Sequence, residues 1–164
     1  MSKAALNSSV IIALSTLGYL NKLKSLFEKI VIAKAVHEEI CSAGQGLVGG
    51  RELEEAVKTH LIEVKDVKNR LLVTALLDSL AIGEAETIAL AIDEQADNIV
   101  LDDKTARRKA KAMKLNVIGT LRILRMMYDA KLITKTEIIE ALTKLRETGF
   151  RISDDAINKV TNEL

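Results

Sequence analysis

Apolar residues along this chain switch between short unbroken runs and positions three or four apart, a pattern that predicts brief strands separated by helices. Ala4 to Asn7 reads as a first strand, and Val10 to Leu14 and Leu20 to Phe27 as two short helices around Gly18. Ile30, Val31 and Ile32 form a second strand, followed by a helix from Lys34 to Ser42 that ends near Gly44. The run from Gly44 to Gly50 predicts a flexible loop, Arg51 to His60 a helix and Leu61 to Val64 an edge strand. Leu71 to Leu80 reads as helical, and Gly83 precedes a helix with Ala85, Ile88, Ala89 and Ile92 at helical spacing. Ile99, Val100 and Leu101 predict a buried strand, then a helix with Ala106, Ala110 and Met113 on one face. Asn116 to Ile118 is the next strand and Gly119 to Ala130 the next helix. Thr134 with Glu137 forms a capping box ahead of Ile138, Ile139, Leu142 and Leu145. Ser153 caps a last helix containing Ala156, Ile157 and Val160.

Strands alternating with helices predict an α/β fold of three layers, α/β/α, with a central, mostly parallel sheet covered on both faces. A chain of 164 residues is about one domain long, and no linker divides it. Residues 1–164 are therefore read as a single domain, with the C-terminal helices of 134–164 packed on it as an extension. In folds of this class ligands sit beyond the carboxyl ends of the strands. Asn7 to Ser9 and Asp102 with Asp103 both fall at that edge.

Charge sharpens the picture where composition does not. Net charge is only +1, yet eight basic residues and no acidic ones lie between Lys104 and Arg125. Removing those eight from the 24 basic residues leaves 16 against 23 acidic ones, so a basic segment sits on an otherwise acidic protein. Aromatic residues make up 2% of the chain, which argues against RNA readers that stack bases on aromatic platforms. Any contact with nucleic acid is then mostly with its backbone. Cys41 is the single cysteine, which excludes an internal disulfide. No apolar run approaches the roughly 20 residues of a membrane span, and the start lacks a signal-peptide pattern. The expectation is a cytoplasmic protein with no membrane partner.

Four places carry candidate chemistry: Asn7, Glu39, Glu84, and Asp102 with Asp103. On a helix Val36 and Ile40 share a face, and Glu39 lies about 60° from Val36 while Glu38 points roughly the opposite way. Glu39 can thus enter a cleft while Glu38 is solvated. Glu84 and Glu86 fall in a first helical turn, where the dipole alone favours negative charge. Asp102 has a second reading, as the cap of a helix starting at Asp103. His37 and His60 read as surface residues, and no third histidine or thiol cluster supports a zinc site. The Gly44–Gly50 loop lacks the Gly-Lys-Ser/Thr ending of a P-loop, and no G-x-G-x-x-G follows the first strand.

Taken together, V-H-E-E-I, G-E-A-E-T-I-A-L-A, I-V-L-D-D-K-T-A-R-R-K-A and N-V-I-G-T-L-R-I-L resemble the PIN-domain family. The likeness is to PIN-like archaeal and bacterial proteins related to the toxin ribonucleases of toxin–antitoxin pairs, and it covers about residues 4–125. The segment Gly149 to Asp154 resembles the same subgroup. The resemblance implies a metal-dependent ribonuclease using Mg2+ or Mn2+. It places the metal ligands on Asn7, Glu39, Glu84 and Asp102, with Asp103 as a fifth acidic member and Ser9 as the small hydroxyl residue after the first position. It further implies RNA as partner, a small neutralising antitoxin protein, and a homodimer. Glu39, Glu84, Asp102 and Asp103 would serve catalysis; Ser9, Lys104, Arg107 and Arg108 would contact the substrate, with Arg107 one turn beyond Asp103. The departure is Asn7, where PIN nucleases usually carry aspartate. Its carbonyl oxygen still suits a hard cation, but the cluster loses one negative charge.

Two readings compete with the nuclease. One is a PIN-like module that binds nucleic acid or protein with weakened catalysis, motivated by Asn7. The other is a receiver-like phosphoacceptor domain, since paired aspartates after a strand recur there.

Overall fold

Five strands of two to five residues alternate with helices along the chain, and every pair is parallel. The computed structural model describes residues 2–42 and 48–164. The strands are β1 (Lys3–Leu6), β2 (Lys29–Ala33), β3 (Glu63–Lys65), β4 (Asn98–Val100) and β5 (Val117–Ile118), and they lie in the order β3-β2-β1-β4-β5. Strand β1 is central, and Ala4, Ala5 and Leu6 are fully buried, as a strand covered on both faces requires. In β2, Ile30, Val31, Ile32 and Ala33 are buried in the same way. The edge strand β3 carries Glu63 exposed, with Val64 and Lys65 only partly covered. This is the expected α/β/α arrangement, and its sheet is wholly parallel.

The helices are α1 (Ser8–Leu17), α2 (Lys34–Ser42), α3 (Gly50–Lys58), α4 (Arg70–Leu76), α5 (Ile82–Asp93), α6 (Lys104–Ala112), α7 (Thr120–Asp129), α8 (Lys135–Glu147) and α9 (Asp154–Asn162). The region predicted as two short helices is instead one ten-residue helix, α1, then a 3-10 turn at Leu20–Ser25. Gly18 ends α1 with a positive φ of 73°, and its N–H bonds back to the last turn. Helix α4 stops at Leu76, four residues before the predicted end. Gly83 lies inside α5 rather than before it. Part of the predicted glycine loop, residues 43–47, lies outside the described residues.

Helix α5 crosses β1, β2 and β4 and touches α2, α4 and α6. Helix α1 packs on α2, α7 and α8. The C-terminal α8 is thus seated against the α/β layers through Ile138, Ala141, Leu142 and Leu145, all buried. Among the described residues no helix is long and apolar enough to cross a membrane.

The strand order decides where a ligand can go. From β1 the chain moves outward through β2 to β3, then returns to the other side of β1 for β4 and β5. The connections leave the carboxyl ends of β1 and β4 in opposite directions and open a crevice there. Asn7 follows β1 directly and Asp102 stands two residues beyond β4. The Asn7 N–H donates to the Val100 carbonyl at 3.2 Å, which brings the two strand ends together.

Candidate functional site

Asn7 is the residue before α1, extended at φ −89° and ψ 171°, and its side chain makes no capping bond to the helix it precedes. Its amide is left to the crevice, and it is buried. The next two residues each bind a carboxylate. The Ser8 hydroxyl donates to Glu39 Oε2 at 2.6 Å and lies 3.4 Å from Asn7 Oδ1. The Ser9 hydroxyl donates to Asp102 Oδ2 at 2.7 Å. One turn of α1 therefore holds both an acid delivered by α2 and an acid delivered by β4.

Glu39 stands on α2, whose buried residues are Val36 and Ile40. The helical period puts it at the border of that face, and its carboxylate reaches over α5 at Gly83. A Cβ at Gly83 would lie 2.8 Å from Glu39 Oε2 and 3.7 Å from Asn7 Oδ1. The missing side chain is what lets the Glu39 oxygen approach the first turn of α5, while Asn7 Oδ1 lies at ordinary contact distance. Glu38 is exposed.

Glu84 follows in that first turn. Its Oε1 accepts the Ala81 N–H at 3.3 Å, closing the helix start. Burial, and then the carboxylates of Asp103 and Glu39, push the Glu84 carboxyl above the usual range, against the pull of the Ala81 N–H. That mutual repulsion joins Glu39, Glu84 and Asp103 as one electrostatic group.

Glu86 has a different task. It is buried, its Oε1 accepts the Ala35 N–H at 3.1 Å near the start of α2, and its Oε2 pairs with Arg70 at 2.8 Å. The helix dipole favours Glu84 and Glu86 alike. The fold separates them, because two positions on a helix turn the side chain by about 200°.

The capping reading of Asp102 is corrected by one residue. Asp103 is the cap of α6, its Oδ2 accepting the Ala106 N–H at 2.9 Å. Asp102 instead accepts the Thr120 N–H on Oδ1 at 2.8 Å and the Thr120 hydroxyl on Oδ2 at 2.7 Å. Thr120 is fully buried at the start of α7. Three donors thus fix one carboxylate, and Oδ1, bonded once, keeps acceptor capacity.

Ser8 and Thr120 are the residues sequence reasoning missed. Each directly follows a position at the carboxyl edge of a strand, Asn7 after β1 and Gly119 after β5. A hydroxyl at such a place is a usable signal.

Lys104, Arg107, Arg108 and Lys111 line a cavity of about 470 Å3 with Asp102. Arg107 is partly committed: its guanidinium donates to the Leu101 carbonyl at 2.7 Å, and a Cβ at Gly119 would come within 2.9 Å of it. Lys104 and Arg108 are exposed.

The acidic edge has the chemistry of a hard divalent cation: carboxylate and amide oxygens, with no sulfur or imidazole among them. Its spacing is open. Among the described residues, the group of three His, Cys, Asp or Glu ligand atoms within 4.8 Å of one another is His37, Cys41 and Glu54, not the acidic set. A hydrated ion such as Mg2+, which binds through one or two carboxylates and keeps several waters, fits an edge of this width.

A wholly parallel sheet with oxygen-bearing side chains and a basic cavity at its switch point defines an α/β protein of the class that binds ligands beyond the carboxyl ends of its strands. The model of a family described as a PIN domain matches residues 3–164, and the chain belongs to that family. It is accordingly a nuclease-like module, of a family that typically depends on divalent metal. Among solved structures, a PilT N-terminus domain protein from the hyperthermophilic archaeon Sulfolobus solfataricus is 17% identical, with a TM-score of 0.50 over 72% of this chain and 87% of its own. A domain of a functionally unknown protein from Methanocaldococcus jannaschii is 21% identical, with a TM-score of 0.48 over 73% of this chain and 91% of its own. The first of these shares the fold. No curated protein matches the chain.

Proposed function

We propose that the protein is a metal-dependent endoribonuclease that hydrolyses phosphodiester bonds at the edge formed by Asn7, Glu39, Glu84, Asp102 and Asp103. One observation carries this reading. At the switch of strand order Glu39 and Asn7 converge on Gly83, Glu84 feels the charge of Glu39 and Asp103, and Ser9 ties Asp102 to the same turn of α1, beside a cationic cavity. Asn7, Glu39, Glu84 and Asp102 would hold Mg2+ or Mn2+, directly or through water. A bound divalent ion supplies an activated water and offsets charge on phosphate oxygens.

The chain's own residues do the rest. Ser8 and Ser9 fix the directions of Glu39 and Asp102, and Thr120 locks Asp102 from the other side. Asp103 adds negative potential beside Glu84. Lys104, Arg107 and Arg108 hold the phosphate backbone next to the acids, with Ser9 at the rim. In the hydrolysis a water oxygen joins phosphorus as the P–O bond to the leaving oxygen breaks, and that oxygen ends protonated. With so few aromatic side chains, contacts to backbone rather than stacked bases set the affinity.

A toxin-like role, with a small antitoxin as partner, a homodimer and a cytoplasmic location, belongs to the same proposal. Residues 1–164 act as a single domain in it, with 134–164 as a packed extension. A second reading, a PIN module that binds without cutting, is favoured by the amide at Asn7, which leaves one carboxylate fewer at the edge.

The deciding experiment incubates the chain with mixed RNA and single-stranded DNA in Mg2+, Mn2+ or EDTA, beside Asp102→Asn. Cleavage of RNA with metal, absent in EDTA and in a folded Asp102→Asn variant, supports the enzyme. Salt-dependent RNA binding with no cleavage in either metal supports the binding module. Full activity in Asp102→Asn refutes the assigned site.

A further inference from the structure

His37 and Cys41 stand one turn apart on α2, so their side chains share one side of the helix. Glu54 projects toward them from α3. The imidazole Nε2 lies 3.5 Å from Glu54 Oε1, and one ligand atom from each of the three residues lies within 4.8 Å of the others. In a tetrahedral zinc site the ligand atoms are about 3.5 Å apart, given bonds of about 2.0–2.3 Å. The His37–Glu54 pair already stands at that distance. His37 and Cys41 are half-buried and Glu54 is exposed, so one side of the group is anchored and the other is open to solvent. Residue order hides this group: with two histidines and one cysteine in the chain, spacing along it suggests no zinc site.

We infer that His37, Cys41 and Glu54 form a second metal site, for a borderline cation of the Zn2+ class, joining α2 to α3. The donor set decides the class. Thiolate and imidazole select zinc-like ions over Mg2+ and Mn2+, whereas the acidic edge is built from oxygen alone. Three protein ligands leave a fourth position for water or an exogenous ligand. On binding, the Cys41 thiol gives its proton to solvent and the thiolate takes the metal; no oxidant or reductant takes part. The two sites share α2 but no ligand.

The single cysteine makes the test specific, because a thiolate-to-metal absorption band can arise only at Cys41. The metal-free chain is titrated with Co2+, followed by ultraviolet and visible absorption, and then with Zn2+ as competitor. One equivalent of Co2+ should produce a thiolate charge-transfer band and the intense visible bands of tetrahedral cobalt, both erased by Zn2+ and unaffected by excess Mg2+. Cys41→Ser should abolish the charge-transfer band. Glu54→Gln, at an exposed position that leaves folding intact, should weaken Zn2+ about tenfold or more, the scale on which even outer-shell losses act. Asp102→Asn should leave the cobalt spectrum unchanged, which separates this site from the acidic edge. The inference is overturned if no charge-transfer band forms, or if Zn2+ binds Glu54→Gln and Cys41→Ser as tightly as the parent chain.

Discussion

Gly83→Ala separates the placement of Glu39 from the stability of the fold. The added methyl would sit 2.8 Å from Glu39 Oε2, where ordinary contact begins at 3.4 Å, so the carboxylate must retreat by about 0.6 Å. What yields is the far end of a flexible side chain. Two effects then oppose each other. Alanine for glycine in a helix contributes up to about 1 kcal/mol, less here because position 83 lies in the first turn of α5. Breaking the Ser8–Glu39 bond outright would cost about 1.5–3 kcal/mol, but Glu39 is exposed and rehydrates, so most of that is recovered. The net is within about 1 kcal/mol of zero, or a Tm shift of about 4 °C at most for a chain of this length. Mn2+ binding has no such compensation, since a carboxylate moved away from the edge is lost to the ion. An affinity loss of tenfold, about 1.4 kcal/mol, or more is expected, with cleavage falling in parallel. Mn2+ titration by calorimetry, a cleavage assay and a thermal melt on the same preparation measure all three, with Glu38→Ala as the neutral control. Unchanged Mn2+ affinity and cleavage in a folded Gly83→Ala protein would refute the role given to Glu39. A melt lowered by far more than 4 °C would refute the claim that the side chain, not the helix, gives way.

Restoring a carboxylate with Asn7→Asp should tighten Mn2+ binding, checked by the same titration; equal or weaker affinity contradicts the placement of residue 7 among the ligands. Glu84→Gln should stabilise the metal-free protein at neutral pH. A carboxyl whose pKa is raised on folding contributes stability at low pH that is lost as pH rises through that folded value, so removing the charge removes the loss. Melts from pH 4 to pH 8 should therefore show the variant's advantage growing with pH, while its Mn2+ affinity falls. Replacing Lys104 and Arg108 with alanine should weaken RNA binding evenly across sequences, with the melt unchanged. The slope of log affinity against log salt should flatten by about one for each phosphate that is no longer held.

Much of this molecule is legible in its residue order because the relevant physics is local. Unbroken apolar triplets such as Ile99–Leu101 announce strands buried on both faces, and Thr134 with Glu137 announces a helix start that forms as expected. The position of Glu39 beside the Val36 face follows from the helical period alone. What local pattern could not assign was the partner of each acid. Asp102 and Asp103 are neighbours in sequence, yet one caps its own helix and the other is held by hydroxyls 93 and 18 residues away, at Ser9 and Thr120. Glu84 and Glu86 share a helical turn, yet one faces the crevice and the other closes the start of α2.

Residue order by itself determined the alternation of strand and helix, a mostly parallel sheet, and that Asn7 and Asp102 stand just past strand ends, since each depends on spacings of a few residues. Tertiary structure decided which of those side chains meet, which are spent on caps, and that a histidine, a thiol and a carboxylate from two helices come together. Those outcomes depend on how α1, α2, α3, α5 and α7 pack against one another, and packing joins positions whose separation along the chain carries no record of their distance in space.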